Sequence, residues 1–248
     1  MYQAGMVDIV MTTRNRKQLL ERSLNSLFAN TTVPFRLWIH DDASEDETPR
    51  YLLGLQSKGL LYLVLSKKRV GVVAGFNMLW NMVDYYDLFW EEMPYMCYLQ
   101  DDIEITERDW LQTCLRAYER FEPEHGVGFF TGYDAPEHPV AGTVDWEGRL
   151  LLLKRSSTAT NLIATKQFWR SIGWVPRRNP DGSERGFPHK NRGSHIDLYL
   201  TGCMSGSKFV HKAAAAYCSY KQGKTLLVVP GLIRHTGDHP HRSTWRVR

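Results

Sequence analysis

The segment Y-L-Q-D-D-I-E, residues 98–104, runs an apolar stretch straight into two adjacent carboxylates, Asp101 and Asp102. Carboxylates at the carboxyl end of a strand sit where open α/β sheets bind ligands, in the crevice beyond the strand ends. Two neighbouring acids repel unless a positive group lies between them. A divalent cation carrying a diphosphate meets that need, because hard cations take oxygen ligands. The competing interpretation is a solvated turn, where aspartate is common. Three more polar clusters follow apolar runs in the same way: Thr12-Thr13-Arg14-Asn15-Arg16, residues 40–48 (H-D-D-A-S-E-D-E-T) and residues 67–77 (K-K-R-V-G-V-V-A-G-F-N). No G-x-G-x-x-G follows the first apolar run and no Walker lysine motif is present, which argues against a dinucleotide-binding dehydrogenase and a P-loop enzyme.

The elements that must position these residues alternate through the first 130 residues. Strands are expected at residues 6–11, 35–39, 60–65 and 94–99, the last delivering the acid pair. Helices are expected at 16–28, where Leu19, Leu20, Leu24, Leu27 and Phe28 recur at helical spacing, and at 45–55 and 72–85. Thr106 reads as the cap of a further helix reaching about Phe121, with Glu107 and Asp109 in its first turn. Strands alternating with helices imply a mostly parallel sheet covered on both faces. The second half is less regular, with strands expected at 149–154, 160–164 and 225–229 and helices at 166–172 and 195–204. Residues 177–194, rich in Gly, Pro and charge, read as a long mobile loop, and loops of that length usually form lids or binding segments.

At 248 residues, 43% hydrophobic and 23% charged, the chain has the composition of an ordinary globular protein and the length of one domain. No apolar run approaches the roughly 18 residues a membrane span needs, and residues 1–5 lack a signal-peptide pattern, so a cytoplasmic location is expected. Cys97, Cys114, Cys203 and Cys218 have no C-x-x-C spacing and read as reduced thiols. The net charge of +4 hides an asymmetry. Residues 1–148 hold 13 Lys and Arg against 23 Asp and Glu, whereas residues 149–248 hold 18 against 4, a balance of −10 against +14. Either the halves neutralise each other, or the basic half attracts an anionic partner.

Taken together, V-D-I-V-M-T-T-R-N-R, H-D-D-A-S-E-D-E-T, R-V-G-V-V-A-G-F-N and Y-L-Q-D-D-I-E, in that order, resemble the family 2-type nucleotide-sugar glycosyltransferases of the GT-A fold. The resemblance covers residues 6 to about 105 well and the rest loosely. It implies an α/β, Rossmann-like, mostly parallel central sheet flanked by helices, with a smaller C-terminal acceptor-side region. One domain would span 1–248, residues 1–105 binding the nucleotide sugar and 106–248 the acceptor.

By the same resemblance, Thr12 contacts the nucleotide base and Asp42 accepts a hydrogen bond from a uracil ring nitrogen. Asp41 and Ser44 shape the turn, which a simple Asx or Ser cap would equally explain. Lys68 and Arg69 are candidates for the diphosphate, against a solvated basic turn, and Asn77 matches a helix asparagine. Asp101 falls near the donor ribose and Asp102 on Mn²⁺ or Mg²⁺, although Gln100 stands where the family often has an extra aspartate. His235 resembles a late histidine that supplies a further metal ligand. His239 and His241 follow it at H-x3-H-x-H spacing, which would also suit a separate zinc or nickel site or a polar tail over 235–248.

An inverting transfer needs a general base for the acceptor hydroxyl. The family's acidic helix start is replaced here by Ser194-His195-Ile196-Asp197-Leu198, so His195 and Asp197 share that assignment. Trp146, Trp169 and Trp174 fall on the acceptor side, where they stack on substrate or belong to the core. The expected activity is metal-dependent transfer from a UDP-sugar to an acceptor on an anionic polymer, such as hydroxylated-base DNA or a phosphate-bearing glycan. The rivals are a sugar-nucleotide nucleotidyltransferase, which would need a glycine-rich loop where T-T-R-N-R has none, a nucleic-acid-binding protein without catalysis, and an inactive glycosyltransferase-like module.

Overall fold

The computed structural model describes residues 7–155 except 91 and 137, residues 160–172 and residues 224–236. The strands β1 (Val7–Thr13), β2 (Phe35–Asp41), β3 (Tyr62–Leu65) and β4 (Tyr95–Leu99) run parallel to one another. They are linked by α1 (Lys17–Asn30), α2 (Thr48–Gln56) and α3 (Val72–Asp87). Beyond β4 come β5 (Ile103–Ile105), α4 (Trp110–His125), β6 (Val127–Thr131), β7 (Val140–Trp146), β8 (Arg149–Lys154), β9 (Asn161–Thr165), α5 (Lys166–Ile172), β10 (Thr225–Val228) and β11 (Ile233–His235). Nine of these form one sheet in the order β3-β2-β1-β4-β9-β6-β10-β8-β7, and β11 pairs with β5 in a second, two-stranded sheet. β9 runs antiparallel to both neighbours, so β6 and β10 point the same way as β4.

Strands buried on both faces read as continuous apolar runs. In β1, Val7, Ile9 and Met11 meet Leu20, Leu24 and Leu27 of α1 on one face, where α4 also packs through Trp110 and Leu111. Val10 meets Val73, Phe76 and Leu79 of α3 and Trp169 of α5 on the other. One polar residue interrupts this run at the strand's start. Asp8 is fully buried, accepting from Trp38 Nε1 at 2.7 Å and Arg36 Nε at 2.7 Å, and pairing with Lys166 Nζ at 2.6 Å. Arg36 also reaches Asp87 at 2.9 Å and lies over the Tyr86 ring. Losing one member would strand a buried charge, at a cost of about 3–5 kcal/mol.

Several expected elements differ from those observed. β1 and β2 each extend two residues further, so Thr12, Thr13 and Asp41 belong to strands rather than to turns. Thr106 does not cap α4. Its N–H and hydroxyl bond the carbonyls of Leu232 and Gly231, and the helix begins after Asp109, which is held at φ 61°. The short strands β5 and β11 and the strands β6 and β7 were not anticipated. β7 and β8 are joined by Glu147-Gly148, both at positive φ, a two-residue turn whose twist suits a hairpin. The expected helix at 195–204 and loop at 177–194 lie outside the described residues, as do Cys203, Cys218 and Trp174. Cys97 and Cys114 are buried free thiols, and burial pushes both well above their ordinary pKa. No helix among the described residues is long and apolar enough to cross a membrane.

α3 approaches β2 closely because Gly75 leaves room for His40. A Cβ on Gly75 would lie 2.3 Å from His40 Nδ1, inside contact distance. The ring has little space to retreat, being fully buried with Nε2 2.8 Å from Ser66 Oγ. Gly54, within α2, has nothing within 4 Å of a Cβ. The same substitution should therefore have opposite signs at the two sites. In urea denaturation, Gly75→Ala should lose about 1–3 kcal/mol through overpacking, while Gly54→Ala should gain up to about 1 kcal/mol from helix propensity.

Candidate active site

The parallel strands end along one edge of the sheet, so residues far apart in sequence meet there. Two loops are stapled first. Asn15, at φ 51°, donates its N–H to Ser44 Oγ at 2.8 Å and accepts the Glu45 N–H at 2.7 Å. Ser44 in turn donates its hydroxyl to Asp41, a contact that the turn and cap readings of that pair share. Asp46 accepts the N–H groups of Thr48 and Lys17, at 2.9 and 3.4 Å, near the starts of two helices. The loops after β1 and β2 thus form one unit.

Asp42 holds a third loop to this unit. Its oxygens accept the N–H groups of Val70 and Gly71, at 2.6 and 2.9 Å. Gly71, at φ 85°, adopts a backbone conformation that only glycine takes without strain, and α3 begins immediately after it. Lys68 and Arg69 are exposed on the turn between β3 and this glycine. Thr12, half-buried, is paired in register with His40, and Asn77 is half-buried in the first half of α3. Burial lowers the pKa of His40, with Asp42 and Asp41 pulling the other way.

The acid pair lies just past β4. Both carboxylates are buried, Asp101 at 5% and Asp102 at 2% exposure. Asp101 accepts the Thr13 hydroxyl at 2.7 Å. Arg16 Nη1 stands 3.0 Å from Asp101 Oδ1 and 3.0 Å from Asp102 Oδ2, bridging the two acids. Burial pushes the Asp101 carboxyl above its usual range; the Arg16 charge opposes this and the Asp102 charge adds to it. Arg16 is held charged, first by Asp101 and then by Asp102 against its own burial. The positive group between the two acids is thus supplied by the protein itself.

Asp102 has a second neighbour. His235 Nε2 lies 3.2 Å from its Oδ1. The pairing of β11 with β5 delivers this histidine, setting His235 opposite Ile103. Thr236 locks the register, donating its N–H to the Asp102 carbonyl at 2.8 Å and its hydroxyl at 3.1 Å. Octahedral divalent cations bind at about 2.1 Å, which puts adjacent ligands roughly 3 Å apart. The spacing of Asp102 Oδ1 and His235 Nε2 fits two adjacent positions around such an ion. Among the described residues no group of three His, Cys, Asp or Glu gathers to hold a metal. His239, His241, His195 and Asp197 lie outside them.

Sequence reasoning missed Arg16 and Thr13, although both stand in the T-T-R-N-R cluster. Two arginines there compete for one role, and Arg14 goes instead toward Glu45 at 3.8 Å. Trp169 is not an acceptor-side surface. It is fully buried among Phe76, Trp80 and Phe129, with Nε1 donating to the Met96 carbonyl at 2.9 Å. Trp146, half-buried at the end of β7, packs edge-on against Phe121 beneath Arg116.

β11 is also seated against Gly132, the residue that follows β6. The Ile233 N–H bonds the Gly132 carbonyl at 3.1 Å, and a Cβ on Gly132 would lie 3.0 Å from Leu232 and 3.2 Å from Ile233. Gly132→Ala should therefore displace the strand that carries His235. The expected result is stability lowered by about 1–3 kcal/mol, read by urea denaturation.

Residues 8–166 match Glycosyl transferase family 2. No curated protein matches the chain. Among solved structures, S. aureus TarS 1-349 in complex with UDP-GlcNAc aligns at 14% identity with a TM-score of 0.55, covering 98% of this chain and 62% of that one. GalNAc-T7 with UDP, GalNAc and Mn²⁺ aligns at 12% identity with a TM-score of 0.57, covering 96% and 45%. The chain thus spans between about half and two thirds of these relatives' length, and at such identities the likeness is one of fold, the GT-A fold. With the family match extending over most of the chain and all four strand ends of the site inside it, this protein belongs to Glycosyl transferase family 2.

Proposed function

We propose that the chain transfers a sugar from a nucleotide diphosphate sugar, of the UDP type, to an acceptor hydroxyl, with Mn²⁺ or Mg²⁺ and with inversion. The observation that carries this is the Asp102–His235 pair, 3.2 Å apart beyond the tip of β4. Two structural relatives, one solved with UDP-GlcNAc and the other with UDP, GalNAc and Mn²⁺, support the same reading.

In this reading Asp102 and His235 would hold the ion. When bound, the ion supplies positive charge to the leaving diphosphate. Thr12 and Asp42 receive the base. Each Asp42 oxygen accepts one backbone N–H and retains a second lone pair, so a uracil N–H can still be accepted. A base without that donor would leave the carboxylate under-satisfied and bind more weakly. Lys68 and Arg69 meet the diphosphate, Asn77 supports the donor side, and Asp101, fixed by Thr13 and Arg16, meets the ribose. The base that takes the acceptor's proton is Asp197 or His195.

The acceptor belongs with the basic half. Residues 149–248 carry an excess of 14 positive charges, more than a diphosphate needs. A polyanion, such as DNA with a hydroxylated base or a phosphate-bearing glycan, fits that excess. Its affinity should fall steeply between about 50 and 200 mM salt, because phosphate contacts release counterions. Affinity that stays level over that range would remove the polyanion.

Thermal unfolding with UDP, GDP, TDP and ADP, each with and without Mn²⁺, tests the donor assignment. UDP with Mn²⁺ at about 100 times its Kd should add about 2.7 kcal/mol, raising the Tm by roughly 5–10 °C. UDP without metal should do far less, and Asp102→Ala should abolish the shift. Equal shifts with and without Mn²⁺ would end the metal-dependent reading.

A further inference from the structure

We propose that Arg16 is a resident counter-cation that makes metal binding at Asp102 depend on the donor's diphosphate. This rests on reading the cleft as a nucleotide-sugar site and adds a regulation of that site. One guanidinium nitrogen, Nη1, makes both contacts, at 3.0 Å to Asp101 Oδ1 and 3.0 Å to Asp102 Oδ2. The two oxygens of Asp102 therefore have different neighbours, Arg16 at Oδ2 and His235 at Oδ1. An ion at the Oδ1–His235 position shares one carboxylate with a fixed positive charge.

Like charges across a single carboxylate repel strongly where water is scarce, and Asp102 is 2% exposed. Arg16 itself keeps 41% of its side chain exposed, so an incoming anion can reach it. A diphosphate brings the negative charge that offsets both cations. The ion then binds weakly alone and tightly with the donor, and by linkage the donor binds tightly only with the ion. Without either ligand Arg16 offsets one of the two negative charges, so the acid pair is not left as two buried, unpaired charges.

Titrating Mn²⁺ against the full chain, with the free ion followed by electron paramagnetic resonance, reads this directly. For the wild type, UDP should tighten the Mn²⁺ Kd on the order of tenfold or more. In Arg16→Gln the Kd without UDP should tighten and the effect of UDP should shrink. Arg16→Lys should behave as the wild type, because a single ammonium can replace the single bridging nitrogen. Arg16→Gln with an unchanged or weaker Kd for Mn²⁺ alone would overturn the proposal, as would Arg16→Lys behaving like Arg16→Gln. Wild-type protein that fails to bind UDP even with Mn²⁺ would instead overturn the donor reading, whatever Arg16 does.

Discussion

Two carboxylates on consecutive residues, both nearly sealed from water, must each be kept ionised or be given a proton. Everything around Asp101 and Asp102 answers that constraint. β1 contributes the Thr13 hydroxyl at its last position, the following residues contribute Arg16, and a strand near residue 235 contributes an imidazole. Thr13 and Arg16 arrive through the parallel pairing of β1 with β4, which brings their carboxyl ends to one edge, and the imidazole arrives through the pairing of β11 with β5. The stapling of Asn15 to Ser44 and Glu45, and of Asp42 to Val70 and Gly71, then removes freedom from the three loops that border the acids. Fixing loops before a ligand arrives lowers the entropic cost of binding it.

The fold was most legible where periodicity and burial act together. The alternation over residues 6–99 follows from apolar runs, those of β1, β2 and β4 buried on both faces and that of β3 at the sheet edge, and each of those elements is present within a few residues of its expected bounds. What escaped were strands whose partners lie far away in sequence. β5 and β11 have three residues each and exist because they pair with each other and with loops at Gly132 and Asp102. No local pattern announces such a strand. The Thr106 error has the same origin. A threonine followed by acids reads locally as a cap, whereas its hydrogen bonds run to residues 231 and 232.

The candidate site divides in a similar way. Asp101 and Asp102 stand out in the sequence as adjacent carboxylates after an apolar run, whereas Asp42 and His235 could be named only from the family resemblance. Arg16 could not be separated from Arg14, since which arginine turns toward the acids depends on the backbone around Asn15, whose positive φ is a tertiary outcome. Trp169 illustrates the reverse limit. Its residue type allowed a stacking surface or a place in the core, and the structure decides for the core, where Trp169 fills the volume between Phe76, Trp80 and Phe129 and donates its indole N–H to the Met96 carbonyl.

The strand that bears His235 is three residues long and sits in a sheet of only two strands, apart from the nine-stranded core. Such a segment can open by itself at a small fraction of the free energy that global unfolding requires. The imidazole would then leave while Asp101, Thr13 and Arg16 kept their arrangement. A local opening of β11 would thus part His235 from a carboxylate more than a hundred positions earlier in the chain while the other groups around that carboxylate stayed in place.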